Sequence, residues 1–304
     1  MPTTIIYHDV KPGIACPDGL AAAWVAAKVA PDAELRGWVY QSEALPQPKK
    51  GDWLIIVDFS FSGDTIERWI RDGVIVTVID HHKTAKEALD RFYSESFQDA
   101  LNAAAHDDWN VLFDMNKCGA TLAWEYFFPG KPQPAFLAYV EDRDLWNHAL
   151  PFTEEIHEAT AALRRSFALF DVLEQMSQKE LIKFLAPLGE KLLKPKREKI
   201  KAIAERWDWR WLRKYHPISR SLEFEYEIPV VLLANDGSED RLTSDICSYL
   251  YKSLPQAPFV ACITSDGSWS LRSDKNGNDT DVGAIAKVLG GGGHKNAAGW
   301  TPKT

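Results

Sequence analysis

The stretch VIVTVIDHHKTA, residues 74 to 85, closes a run of apolar and β-branched residues with an aspartate and two adjacent histidines, Asp80, His81 and His82. Carboxylates and imidazoles without paired thiols are donors for a borderline-hard divalent ion. Mn²⁺ is the first choice, with Mg²⁺, Co²⁺, Fe²⁺ and Zn²⁺ as alternatives. Consecutive side chains on extended backbone point to opposite sides, so one histidine is expected to ligate while its neighbour faces substrate or supports the ligands. Two earlier apolar runs end in the same manner: TTIIY leads into His8 and Asp9, and WLIIV into Asp58. Asp58 and Asp80 lie 22 residues apart, one strand-helix-strand step, so neighbouring strands would set them side by side. Several carboxylates in one cluster repel one another unless cations neutralise them, which favours two ions. Ions about 3.5 to 4 Å apart lower the pKa of an attacking water and hold phosphoryl oxygens, so hydrolysis of phosphate esters is the expected chemistry.

Such a cluster needs a sheet to carry it. Near-continuous apolar runs suit strands covered on both faces. Helical patterns, DGLAAAWVAAKVA at 18 to 30 and GDTIERWIRDG at 63 to 73, lie between them. That alternation implies βαβ units in a mostly parallel sheet, and open α/β sheets bind ligands at the carboxyl ends of their strands. Farther on, AHDDWNVLFDMN reads as a loop or short helix, with His106, Asp107 and Asp108 as a helix N-terminus. CGATLAWEYFF and AFLAYVEDRDLW read as helices. From about 154 to 214 the pattern is helical and rich in charge and tryptophan, and Trp207, Trp209 and Trp211 read as packing residues of a linker helix more than as a base-stacking platform. After β-type runs in IPVVLLAND, FVACITS and SWSLRSD comes DVGAIAKVLGGGGHKNAAGW, a helix, a glycine turn and a short terminal segment. The expected architecture is α/β: a parallel-sheet domain over 1–185, a helical connector over 186–222, and a smaller α/β domain with a mixed sheet over 223–304.

A chain of 304 residues is long enough for two ordinary domains. It is 45% hydrophobic and 26% charged, without an apolar run near the roughly 20 residues of a membrane helix. The opening MPTTIIYHDV has no secretory pattern, so a cytoplasmic location is expected. Cys16, Cys118, Cys247 and Cys262 are widely separated and are expected to be reduced, mostly buried thiols. The net charge of −8 argues against capture of long duplex nucleic acid and favours a small anionic partner, a nucleotide or short oligonucleotide, with no membrane involved. The basic run KLLKPKREKIK at 191 to 201 reads as a solvated helical face. A homodimer is left open.

Asp80-His81-His82, DFS at Asp58, CPDG at 16 to 19, EDRDLW at 141 to 146 and GGGGHKNAAGW at 290 to 300 occur together and span nearly the whole chain. In type and order they resemble the DHH phosphoesterase superfamily, in the subgroup with a C-terminal DHHA1 domain. The resemblance implies Mn²⁺-dependent hydrolysis of phosphodiester or phosphomonoester bonds in small nucleotides: short oligoribonucleotides, linear dinucleotides or a 3'-phosphorylated nucleoside monophosphate such as pAp. Exopolyphosphatase or pyrophosphatase action, or a catalytically impaired nucleotide-binding protein, are the alternatives. It also implies roles. Asp58 would bridge two ions, His81 and Asp142 would complete one site, and His8 and Asp18 would serve the other, with Asp144 the second choice for the last position. Asp80 would orient its neighbours, and His82 would face the scissile phosphate and assist proton transfer. In the second domain Gly291, Gly292, Gly293 and His294 would grip the phosphate or nucleotide end, and Arg272 would add a forked guanidinium.

The chain departs from the pattern by placing DVKPGIA between His8 and Cys16, where similar proteins have only a few residues. Asp9 is therefore an alternative to His8. A second departure is Cys118, where serine is common; no catalytic role is assigned to it.

Overall fold

The computed structural model describes the chain apart from residues 40–44, 96–97, 99–108, 217–218, 220, 275–276 and 303–304. It falls into two compact units, Met1–Leu192 and Leu193–Thr304. In the first, the strands are β1 (Thr3–Lys11), β2 (Ile14–Ala15), β3 (Glu34–Trp38), β4 (Trp53–Val57), β5 (Ile75–Asp80) and β6 (Trp109–Phe113), of which β1, β4 and β5 are the apolar runs. The order β3-β1-β4-β5-β6 is parallel throughout, and β2 turns back antiparallel along the end of β1. The α-helices among the described residues of this unit include α1 (Pro17–Ala27), α2 (Gly63–Arg71), α3 (Lys83–Leu89), α4 (Gly119–Phe127), α5 (Ala135–Asp144), α6 (Thr153–Ala162), α7 (Phe167–Glu174) and the start of α8 (Gln178–Ala204).

Alternation along each strand builds two cores on opposite faces of the sheet. Ile5, Ile55, Val57 and Ile79 pack with Ala22, Trp24, Leu122, Phe136 and Phe170 from α1, α4, α5 and α7. Ile6, Leu54, Ile56, Val76 and Val78 pack with Ile66, Trp69 and Leu89 from α2 and α3. Each of the aliphatic side chains Leu54 to Val57 is at most 2% exposed, which contributes roughly 1.5–3 kcal/mol apiece before the entropy cost of ordering. The same pairing positions the chemistry. Tyr7 lies opposite Val57, and Val57 opposite Ile79, so the next residues, His8, Asp58 and Asp80, stand at one level across three adjacent strands, where the parallel pairing of β1 with β4 ends and where β4 and β5 finish.

The second unit holds β7 (Asp208–Tyr215), β8 (Leu222–Leu232), α9 (Thr243–Ser253), β9 (Val260–Ile263), β10 (Trp269–Arg272), α10 (Val282–Val288), β11 (Gly292–His294) and β12 (Ala297–Trp300). Its sheet runs β11-β12-β10-β9-β8-β7, mixed because β8 and β9 are parallel while the other pairs are antiparallel.

Three expectations require correction. Residues 109–113 form the edge strand β6 rather than a loop or short helix, because WNVLF pairs along β5 from Val76 to Asp80; His106, Asp107 and Asp108 lie outside the described residues. Among the described residues the expected connector over 186–222 is helical only to Ala204, the division between units falls within α8, and the second unit begins well before residue 223. The tryptophan-rich segment is strand β7, paired along β8. Spacing of i, i+2 and i+4 is the period of a strand, and it leaves Trp209 and Trp211 exposed on one face with Leu212 buried between neighbours on the other. Among the described residues no helix is long and apolar enough to cross a membrane.

Candidate metal centre

The extra length after His8 is a hairpin. β1 continues to Lys11, turns with Gly13 at φ +74°, and returns through β2 so that Asp9 pairs with Ala15. The Cys16 amide then donates to the His8 carbonyl at 3.1 Å, and α1 starts beside His8 despite the intervening residues. Asp9 accepts from the Gly13 amide at 3.0 Å and stabilises the turn.

Asp18, in the first turn of α1, is fully buried. It accepts from the amides of Gly119 at 2.6 Å and Ala120 at 2.8 Å, capping α4, whose own N-cap residue Cys118 makes no side-chain capping bond to the helix amides among the described residues. Its Oδ2 also lies 3.5 Å from His81 Nε2. Asp58 follows β4 with φ +53°, a left-handed conformation that costs an L-residue on the order of 1–2 kcal/mol and turns its carboxylate toward the neighbouring strand ends. His81 Nε2 donates to Asp58 Oδ1 at 3.0 Å, and His8 Nδ1 stands 3.7 Å from Asp58 Oδ2. Asp80 organises the turn after β5: its Oδ1 accepts from the His81 amide at 2.7 Å, the His82 amide at 3.1 Å and His82 Nδ1 at 2.8 Å. Asp144 Oδ2 reaches to 3.5 Å from His81 Nε2.

These side chains form three overlapping donor sets, His8 with Cys16 and Asp58, Asp58 with His81 and His82, and Asp18 with His81 and Asp144; within each, the donor atoms lie within 4.8 Å of one another. Asp142 belongs to none of them. Its carboxylate accepts from the amides of Ala149 at 2.8 Å and Leu150 at 3.1 Å and from Thr153 Oγ1 at 2.5 Å, holding the turn between α5 and α6. Residues two apart on a helix face different sides, so only one aspartate of the EDRD segment can look into the cluster, and it is Asp144. Cys16 is the member that sequence reasoning missed; its place directly before Pro17 and Asp18 in CPDG was the available signal.

Burial, then Asp58 and Asp144, push the Asp18 carboxyl well above its ordinary range; burial and Asp58 likewise raise Asp144. Burial also works to raise Asp58, but His8, His81 and His82 outweigh it and hold that carboxyl low. His81 shows the complementary balance: burial alone would lower it, while Asp58, Asp18 and Asp144 carry it up to about 9. In His82 the bond to Asp80 overcomes burial and raises the imidazole. Burial, Asp58 and Asp18 raise the Cys16 thiol strongly. Among the described residues, Oδ2 of Asp58 and Oδ2 of Asp80 are buried without a hydrogen-bond partner. Leaving charged acceptors in that state is costly, and a cation beside them would satisfy them. The oxygen and nitrogen donors therefore fit a divalent metal.

A cavity of about 290 Å³ opens beside Asp18 and Asp144, walled by Phe136, Tyr139 and Phe170 and carrying the cations Arg143 and Arg165. Arg165 is held in place by donating to the His157 carbonyl at 2.8 Å and Thr160 Oγ1 at 3.3 Å.

In the second unit, Arg272 donates to Ser270 Oγ at 2.9 Å, the Leu271 carbonyl at 2.8 Å and Ser244 Oγ at 3.1 Å. His294 and Gly291 to Gly293 are exposed. Two of these glycines have a packing reason to exist: a Cβ at 291 would run into the Gly299 carbonyl, and one at 293, where φ is +140°, would come within 2.5 Å of the Ala297 carbonyl. Gly292 has open space around it.

No protein-family model matches the chain. An uncharacterized protein of Acanthamoeba polyphaga mimivirus is 28% identical over 253 residues, which is 81% of this chain and 52% of that protein, so the chain spans about half the length of this relative. Among solved structures, a pGpG-specific phosphodiesterase from Vibrio cholerae aligns over 98% of this chain and 92% of its own, with a TM-score of 0.47 and 14% identity. An exopolyphosphatase-related protein from Bacteroides fragilis covers 100% and 87%, with a TM-score of 0.45 and 11% identity. An uncharacterized protein from Helicobacter pylori G27 covers 99% and 93%, with a TM-score of 0.34 and 14% identity. Likenesses this low leave the chemistry to be read from the cluster itself.

Proposed function

We propose that the chain is a divalent-metal-dependent phosphoesterase acting on small nucleotides, cleaving phosphodiester or phosphomonoester bonds in short oligonucleotides, linear dinucleotides or pAp. The observation that carries this reading is the convergence of carboxylates and imidazoles from β1, α1, β4, β5 and α5 into overlapping donor sets at the carboxyl end of a parallel sheet. Asp18, His81 and Asp144 would hold one ion, His8 would serve a second, and Asp58 would be shared. Mn²⁺ suits the oxygen-rich set best. When bound, such ions lower the pKa of a water nucleophile and neutralise phosphoryl oxygens.

The protein's own residues supply the rest. Asp80 fixes His82 through Nδ1, leaving Nε2 to meet the phosphate, where an imidazolium would donate its proton to a leaving oxygen. The cavity beside Asp144 would receive the non-reacting part of the substrate, a base against Tyr139 and Phe136 or a second phosphate at Arg165. In the second unit, the exposed glycine turn with His294, and Arg272, are proposed as an anion-binding surface of that unit in its own right.

The test is hydrolysis, with Mn²⁺ and with chelator, of an RNA dinucleotide, a longer DNA strand, pAp, a cyclic dinucleotide and polyphosphate, beside a His82→Ala variant. Mn²⁺-dependent release of mononucleotides that the variant cannot perform is the expected result. Polyphosphate cleaved as fast as nucleotides would replace the substrate class with that of an exopolyphosphatase. Tight metal and nucleotide binding with no turnover would sink the enzymatic reading.

A further inference from the structure

The His8, Cys16 and Asp58 set differs in kind from the Asp18, His81 and Asp144 set: it contains sulfur where the other has only oxygen and nitrogen. We infer that Cys16 is a metal ligand and that the two halves of the centre select different ions, a thiophilic one of the Zn²⁺ or Co²⁺ type beside Cys16 and a harder one of the Mn²⁺ or Mg²⁺ type beside Asp144. The inference rests on the metal-centre reading and extends it from a site for two like ions to a mixed one.

Three observations support the assignment. Backbone geometry fixes the sulfur close to the imidazole, because the Cys16 amide donates to the His8 carbonyl at 3.1 Å. The second oxygen of Asp58, 99% buried by residue and without a hydrogen-bond partner among the described residues, lies on this side of the cluster, 3.7 Å from His8 Nδ1. Cys16 also differs from the nearby Cys118, which is fully buried and directs its thiol to Thr121 Oγ1 at 3.6 Å. Each half offers two anionic donors and one imidazole once the Cys16 proton has passed to solvent on ion binding. Formal charge is thus equal, and softness is what separates them: thiolate selects zinc-like ions, whereas carboxylates suit Mn²⁺ and Mg²⁺. Gly19 keeps this half compact, since a Cβ there would come within 2.7 Å of the His8 carbonyl and 3.1 Å of Asp58 Oδ2.

The experiment loads the metal-stripped full chain with Co²⁺ and records bound metal together with the near-ultraviolet absorption that reports sulfur-to-cobalt charge transfer. The band is expected in the wild type and in Cys118→Ser and absent from Cys16→Ser, which should lose affinity for Co²⁺ and Zn²⁺ at one half by about tenfold or more and keep its Mn²⁺ binding. Cys16→Asp should bind Mn²⁺ at both halves. Full Co²⁺ occupancy without the band, or a band that survives Cys16→Ser, would overturn the Cys16 assignment and leave the metal centre standing; no bound metal at all would overturn both. Should Cys16→Ser not fold, X-ray absorption of the Zn²⁺-loaded wild type decides the matter: a sulfur shell near ~2.3 Å supports the assignment, and a shell of oxygen and nitrogen alone refutes it.

Discussion

Replacing Asp142 and Asp144 separately by alanine should divide stability from metal binding. Asp142 is 5% exposed and is the acceptor for the Ala149 and Leu150 amides and the Thr153 hydroxyl. A hydrogen bond to a charged acceptor contributes roughly 1.5–3 kcal/mol, so three set an upper bound of about 4.5–9 kcal/mol. Water reaching the part-buried amides returns much of that, and about 3 kcal/mol remains as the expected loss. In a unit of this size 1 kcal/mol moves Tm by about 2–4 °C, so Asp142→Ala should lower the first unit's transition by roughly 6–12 °C while leaving metal stoichiometry intact. Asp144 has the opposite signature. Its carboxyl is raised by burial and by Asp58, so its charged form costs stability near neutral pH, and Asp144→Ala should melt no lower than wild type in chelator. It should nevertheless lose affinity for one ion. Thermal melts in chelator, with metal content measured by mass spectrometry, give both readings. An Asp142→Ala protein that melts like wild type but no longer holds metal would refute the assignment of the two residues.

Gly119→Ala would place a methyl within 2.7 Å of Asp58 Cβ, 3.0 Å of Asp58 Cα and 3.1 Å of Asp18 Oδ2, forcing the carboxylates and the strand end apart; Mn²⁺ affinity should fall roughly ten- to hundredfold in a titration calorimeter, and the melt in chelator should fall as well because the backbone must shift. With the metal-free His81 imidazole up at about 9, ion binding at pH 7 must expel its proton, so binding enthalpies should differ between buffers of different ionisation enthalpy; equal values would contradict this. In chelator, the raised His81 contributes stability that is complete below its unfolded value of about 6.5 and is lost as pH rises through about 9, so Tm should fall from pH 6.5 to 9.5 and His81→Gln should flatten the decline. Asp58, held low, has the reverse sign: its contribution is present above its unfolded value of about 3.9 and vanishes as pH falls through the folded one, visible as acid destabilisation that Asp58→Asn removes.

What could be read from the chain alone was whatever local periodicity and strand ends encode. Three apolar runs with polar residues immediately after them announced β1, β4 and β5 and brought His8, Asp58, Asp80, His81 and His82 to one edge, because parallel pairing aligns strand termini. Alternation of strands and helices likewise announced the α/β class. Asp18 was expected at the centre only through the resemblance that CPDG carries, and neither its burial nor the capping bonds to α4 that it makes at the same time were foreseen. The tertiary structure decided the rest. Which aspartate of EDRD faces the donor cluster depends on the rotation of α5, set by the packing of Phe136, Leu137 and Tyr139, and spacing along the chain does not contain that angle. The tryptophan segment became strand β7 because β8 offered a pairing partner. Cys16 entered the centre because a hairpin folds the intervening residues away and returns the sulfur to His8. A sequence specifies which donors exist; distances between donors far apart in the chain exist only once the packed elements hold them.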